Sequence, residues 1–360
     1  MSTSNARWRC VLSAAELIVT AIFLLVSACS VSADSLQVAD YPIGAFAVHE
    51  DMLQLAREEG FDVVHNYRFE EGHDTDAQLA RYLDRAHSLG LKVLVGFERG
   101  INYTPERVSQ RVERFRSHPS VWAWYAGDEP KAADHKLVTH VIEAIHTSDS
   151  GHPVIVASDD PVYQQAADMH FSYTYPIRDS TPADLISFHQ SSRRSATLKR
   201  PFFSLLQAFN WAHYLPCSKD SKFRHPTIEE MRFMLYSGIA NNARGVFFFS
   251  FQTLPADDDF RTFTAVPLIN EFIRLRQIIR QGVRLGAIAG MEGLRPGSWA
   301  AWRGAAGVTV VLVNATASPQ VLRLAEQRWI LQGASIVPGG VEVPAWGAAM
   351  LSSSFTVPLP

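Results

Sequence analysis

Two adjacent acids carry the first chemical signal. In "VWAWYAGDEP", residues 121 to 130, an apolar run ends in Asp128 and Glu129 with Pro130 closing behind them. At a plain turn both carboxylates would point into water. At the rim of a strand-built pocket, the same pair could do general acid and base work, with one acid raised in pKa by partial burial and by its charged neighbour. The choice depends on the elements that position them.

Those elements alternate regularly. Strand-like apolar runs occur at "YPIGAFAV", "FDVVHNY", "LKVLVGF", "VWAWYAG", "HPVIVAS", "MHFSYTY", "PFFSLLQAF" and "GVFFFSF". They are almost continuously apolar, as parallel strands buried on both faces must be. Helical segments lie between them. Leu79, Tyr82, Leu83 and Ala86 recur at helical spacing before Gly90. Thr104-Pro105 and Thr227 open further helices, the first with proline at its first helical position. "PVYQQAA" reads as a short helix and "VPLINEFIRLRQIIRQG" as the last of the series. Strands and helices in this order predict an α/β fold, a (β/α)8 TIM barrel over residues 41–282. No glycine fingerprint follows the first strand, which argues against a dinucleotide-binding open sheet. From residue 283 to 356 the pattern changes to short strands and turns, predicting a small C-terminal antiparallel, sandwich-like β-domain.

Reactive groups of such a barrel gather at the C-terminal ends of its strands. Those ends supply His65, Asn66 and Tyr67; Glu98 and Arg99; Asp128 and Glu129; Ser158, Asp159 and Asp160. Tyr173, Tyr175, Gln207, Asn210, Trp211 and Gln252 complete the rim. Carboxylates, amides and aromatics with few cations suit a neutral polyhydroxylated ligand. Aromatic faces cover sugar rings, while acids and amides bond hydroxyls. Asn66, Tyr67, Tyr173, Tyr175, Gln207, Trp211 and Gln252 are therefore the expected carbohydrate contacts. Trp211 and Tyr214, in the loop after strand seven, read equally as a sugar platform or as packing. Glu129, behind Trp122, Trp124 and Tyr125, is expected to be partly desolvated.

"WYAGDEP" resembles the (β/α)8-barrel glycoside hydrolases of the clan A type, in which strand four ends in Asn-Glu-Pro or Asp-Glu-Pro and that glutamate is the acid/base. "YTYP" at strand six and the C-terminal β-region are similar to the same superfamily. The resemblance implies a glycosidase with Glu129 as general acid and Asp128 beside it. It also implies a glutamate nucleophile at the end of strand seven, where this chain has "SLLQAFNW" and Gln207, an uncharged amide that cannot attack an anomeric carbon. Three readings stay open: inversion through a water activated by Glu98, Asp159 or Asp160; a nucleophile supplied by the substrate; or a barrel that binds glycans without cleaving them. A polysaccharide lyase is a further alternative.

Composition excludes other classes. The formal charge of -3 and the lack of a basic run argue against nucleic acid. No HExxH or CxxC spacing supports a metal, and no cofactor is expected. "PADDDFR", residues 255–261, lacks the later ligands of a calcium loop and reads as a solvated loop. Residues 1–29 read as a signal peptide with lipobox. Arg7 and Arg9 precede an apolar stretch from Leu17 to Val26, and "LLVSAC" places Cys29 as the lipidation site. Ser30 fits outer-membrane sorting. The expected location is the bacterial cell envelope, with a lipid anchor at Cys29. Cys217 reads as an unpaired loop thiol.

Overall fold

The computed structural model describes residues 41–69, 76–97, 103–158, 160–178, 183–215, 223–324 and 329–354. Eight parallel strands close into a barrel in chain order: β1 (Ile43–Ala45), β2 (Val63–His65), β3 (Lys92–Gly96), β4 (Val121–Asp128), β5 (Val154–Ala157), β6 (Met169–Tyr173), β7 (Phe202–Gln207) and β8 (Val246–Phe249). β8 returns to pair with β1, matching Phe247 to Gly44. Eight helices follow the strands: α1 (Leu53–Glu58), α2 (Asp76–Ser88), α3 (Pro105–Phe115), α4 (His135–Ser148), α5 (Pro161–Ala166), α6 (Ala183–Thr197), α7 (Ile228–Ala240) and α8 (Val266–Gln281). The expected TIM barrel is the observed one.

Local chemistry explains the boundaries. Thr104 caps α3 by accepting from the Arg107 N–H, with Pro105 at the first helical position. Thr227 and Glu230 form a reciprocal capping box on α7, and Arg224 pairs with Glu230 from outside the helix. Gly90 takes a φ of 70° where α2 ends, as a left-handed C-cap requires.

Aromatic side chains fill the barrel. Trp122 stacks on Phe247 at 5.7 Å, and Phe171 meets Phe247 edge-on at 4.9 Å. Phe46 lies above them, 5.2 Å from Phe171 and 5.6 Å from Tyr125. The Phe247 ring rests directly on Gly44, where a Cβ would come within 2.1 Å of it. Only glycine fits in β1 at that level.

The C-terminal strands form two antiparallel sheets. One has the order β13 (Trp329–Gln332), β16 (Ala348–Ser354), β11 (Gly307–Val313), β10 (Trp299–Gly304), β9 (Val283–Leu285). The other runs β12 (Gln320–Leu322), β15 (Gly340–Val343), β14 (Ser335–Val337). The larger sheet is buried on both faces. Ala300, Trp302, Val311 and Val313 join the core shared with the barrel helices, while Ala301, Val310 and Leu312 pack with Leu322, Val341 and Val343 of the small sheet. This two-sided burial explains why "GVTVVLV" is apolar apart from Thr309, whose hydroxyl meets Ser352 Oγ. α7 is held between β7 and strands β11 and β16, so every residue from Met231 to Ala240 is buried. Barrel and sheets share one compact unit.

Candidate active site

β4 delivers the acid pair. A register shift between Tyr125 and Gly127 marks a bulge in its pairing with β5, after which Asp128 aligns with Ala157. Bulges of this kind re-aim the side chains that follow them. The Glu129 N–H continues the ladder by donating to the Ala157 carbonyl at 3.2 Å. Glu129 itself adopts φ 49°, a left-handed conformation uncommon for a residue with a side chain. Tyr125 lies beneath, its hydroxyl donating to Asp128 Oδ1 at 2.6 Å. A cavity of about 300 Å³ opens beside the pair, lined by Phe97, Tyr103, Tyr125, Asp128, Glu129 and Leu137 among others. That volume suits one small ligand unit.

Tyr175 feels both acids and packs into an aromatic floor. Burial pushes its hydroxyl well above the ordinary phenol pKa, and the Glu129 and Asp128 carboxylates push it further. The phenol therefore stays protonated and able to donate beside two acids. Its ring lies 5.4 Å from Phe249, 5.3 Å from Phe209 and 6.1 Å from Tyr173. Trp211 packs on Phe209 at 5.1 Å, with the Arg178 guanidinium 4.9 Å over its ring. Tyr214 stands over Phe249 at 5.8 Å; its hydroxyl meets Ser250 Oγ and accepts from Gln252 Nε2 at 3.2 Å. Tyr67 approaches Phe249 from the β2 side at 6.1 Å. Tyr67, Tyr173, Tyr175, Trp211 and Gln252 thus belong to one continuous surface. Tyr214 and Phe249 complete it, over the buried Phe209. Phe249 was legible only as core, because it sits in an apolar run.

Comparison with known proteins points the same way. The TIM-barrel domain of glycosyl hydrolases family 2 matches residues 29–204. Over that stretch the chain is similar to the (β/α)8-barrel glycoside hydrolases. Among solved structures, a protein titled glycoside hydrolase is similar at 12% identity and a TM-score of 0.55, covering 87% of this chain and 93% of that one. A glycoside hydrolase of family 5 from Bacteroides vulgatus gives the same identity and TM-score over 87% of this chain and 89% of that one. An alpha-amylase from Geobacillus thermoleovorans, complexed with acarbose, is 11% identical with a TM-score of 0.50, covering 89% and 99%. At these identities the likeness is one of fold. No curated protein matches the sequence.

Within this barrel, several expected site residues have other duties. Glu129 is exposed, not desolvated: Trp122 is turned into the barrel, and Trp124 faces outward, donating to Asp149 at 2.8 Å. Gln207 is fully buried, and its amide is engaged by the backbone of Ile177 and Phe209. It ties down the segment after β6 and does not face a ligand. Asn66 is 4% exposed and uses its side-chain oxygen to accept the Arg68 N–H in a local turn. Asp160 caps α5 by accepting from Val162 N–H at 2.9 Å and pairs with His135 at 2.7 Å, which together lower its pKa. With both oxygens engaged it is poorly placed to activate a water. Glu98, Asp159, Cys29 and Cys217 lie outside the described residues.

One cluster has no counterpart in the sequence reading. His213, His225 and Asp257 come together from the loop after β7, the segment before α7 and the loop after β8. No spacing rule could have joined them.

Proposed function

We propose that the protein hydrolyses O-glycosidic bonds of a poly- or oligosaccharide, with Glu129 donating a proton to the leaving oxygen. The observation that carries this reading is the Asp128-Glu129-Pro130 turn at the end of β4, beside a cavity of about 300 Å³ and near enough to Tyr175 for both carboxylates to raise its phenol pKa. Tyr173, Trp211 and Tyr214 offer ring faces to sugars, and Asp128 holds or orients a hydroxyl. Gln207 supplies no nucleophile, and in this reading the reaction runs by inversion, with a nucleophile supplied by the substrate as the alternative that the released anomer separates. With Asp160 committed to its helix, Glu98 or Asp159 is the candidate base in this scheme; inverting enzymes in general keep acid and base roughly 6.5–9.5 Å apart to admit a water. The N-terminal lipobox supports an envelope lipoprotein anchored through Cys29.

The test is release of reducing ends from a panel of polysaccharides, followed by NMR of the first anomer formed. Glu129→Gln should cut turnover on substrates with poor leaving groups by about 10²–10⁴-fold, the usual worth of general acid catalysis. A retained anomer on a sugar without a participating group would exclude inversion. Labelled palmitate should enter the wild-type chain and not Cys29→Ala.

The sealed Gln207 favours one second reading, a barrel that binds glycans and does not cleave them. In that case Glu129→Gln leaves glycan affinity unchanged and no member of the panel is turned over.

A further inference from the structure

His213 Nε2 lies 3.2 Å from Asp257 Oδ2, and His225 Nε2 lies 3.1 Å from the same oxygen. All three atoms fall within 4.8 Å of one another. These are ion-pair distances, yet the contacts fail as hydrogen bonds. Neither ring nitrogen of His225 has a hydrogen-bond partner among the described residues, nor has Asp257 Oδ2, although these atoms are shielded from solvent within two half-buried residues.

We propose that His213, His225 and Asp257 hold a divalent transition-metal ion of the zinc type, which staples the loop after β7 to the loop after β8. Spacing supports this directly. Ligand atoms about 2.0–2.1 Å from a tetrahedral ion stand about 3.3 Å apart, close to the two observed separations. Three donor atoms that converge while His225 and Asp257 Oδ2 keep no hydrogen-bond partner among the described residues form the arrangement a shared central ion uses. The donor set decides the class of metal. Two imidazole nitrogens and one carboxylate suit zinc and its first-row neighbours, whereas calcium and magnesium take oxygen ligands. Phe260 stacks on the His225 ring at 4.2 Å with only 16° between planes, fixing the ligand's orientation. Neighbouring Asp258 is turned away toward Arg261 and Thr262. Three protein ligands leave a fourth position for water.

The clip has a mechanical consequence for the aromatic floor. His213 stands in the chain between Trp211 and Tyr214, and Asn210 caps the short 3-10 turn Trp211–His213 by accepting from the Ala212 N–H. Fixing His213 to Asp257 fixes that platform against the segment containing Gln252.

The test uses the full chain, stripped with chelator and titrated with Zn2+, and with Co2+ as a spectroscopic probe. One equivalent should bind saturably, raise the Tm and give the visible Co2+ bands of a four-coordinate site. His225→Ala and Asp257→Asn should each weaken binding at least about 100-fold, more than the roughly 10–100-fold that loss of an outer-shell group costs. His213→Gln, at an exposed position, should weaken it comparably while the metal-free Tm matches that of the parent. Failure of the stripped wild type to bind Zn2+ or Co2+ saturably would overturn the proposal. So would equal affinity in His213→Gln, or displacement of Zn2+ by equimolar Ca2+ or Mg2+.

Discussion

Gln207 closes its amide on Ile177, accepting the backbone N–H at 2.9 Å and donating to the carbonyl of the same residue at 2.6 Å. A second donation reaches Phe209 O at 3.2 Å. Gln207→Glu keeps the shape but removes both donations and places an acid where the side chain is fully buried. We expect a loss of about 2–4 kcal/mol in unfolding free energy, read from the urea midpoint, and no gain in hydrolysis. Wild-type stability together with new turnover would show that position 207 opens to the substrate.

Glu129 pays for its placement with a φ of 49°. Glycine enters that region freely, whereas alanine keeps the strain. Glu129→Gly should therefore exceed Glu129→Ala in stability by about 0.5–1 kcal/mol in denaturant titrations, with both variants equally inactive. The reverse order would mean that the left-handed turn is absent in solution.

His189 sets an acid limb. Burial lowers its pKa from 6.5 to about 4, helped by the Arg193 charge, and its Nδ1 lies 3.2 Å from Ser237 Oγ. The unfolded chain binds this proton first, so stability is intact above pH 6.5 and falls as pH drops toward 4, by up to about 3 kcal/mol. Asp149 and Asp168 have carboxyl pKa values held below the ordinary range, so their losses come at still lower pH. His189→Gln should flatten the midpoint-versus-pH curve between pH 6.5 and 4. An unchanged slope would exclude His189 as its source.

Arg232 and Glu271 form a buried pair between α7 and α8, with Nη2 to Oε2 at 2.9 Å and Tyr236 and Gln332 both donating to the same carboxylate. Glu271→Leu strands the guanidinium and should cost about 3–5 kcal/mol, whereas the double change Arg232→Met, Glu271→Leu should recover most of that. Additive losses in calorimetry would argue against a coupled pair.

Much of this was legible in the chain. Strands such as "GVFFFSF" declare themselves because both faces are buried, and Thr104-Pro105 and Thr227 carry their helix starts in their own chemistry. The role of Asp160 was also written locally, since Asp followed by Pro before a helix is a capping signature. The aim of side chains at strand ends was not legible. The bulge between Tyr125 and Gly127 and the left-handed turn at Glu129 expose an acid that the preceding tryptophans suggested was covered. Gln207 faces inward because Ile177, from a different loop, meets it there. Likewise the His213, His225 and Asp257 cluster exists only once three loops are folded.

The position of β16 in its sheet sets an order of events on the ribosome. Residues 348–354 pair with β11 on one side and β13 on the other, so an inner strand is synthesised after both of its neighbours. Until it emerges, β13 has no partner in that sheet, and α7 lacks one of the strands that cover it. A nascent barrel with all eight strands already made therefore still carries a partly uncovered apolar helix. Ribosome stalling at residue 340 should leave a chain that binds hydrophobic dyes and is cut by protease within α7, while release past residue 354 should end both.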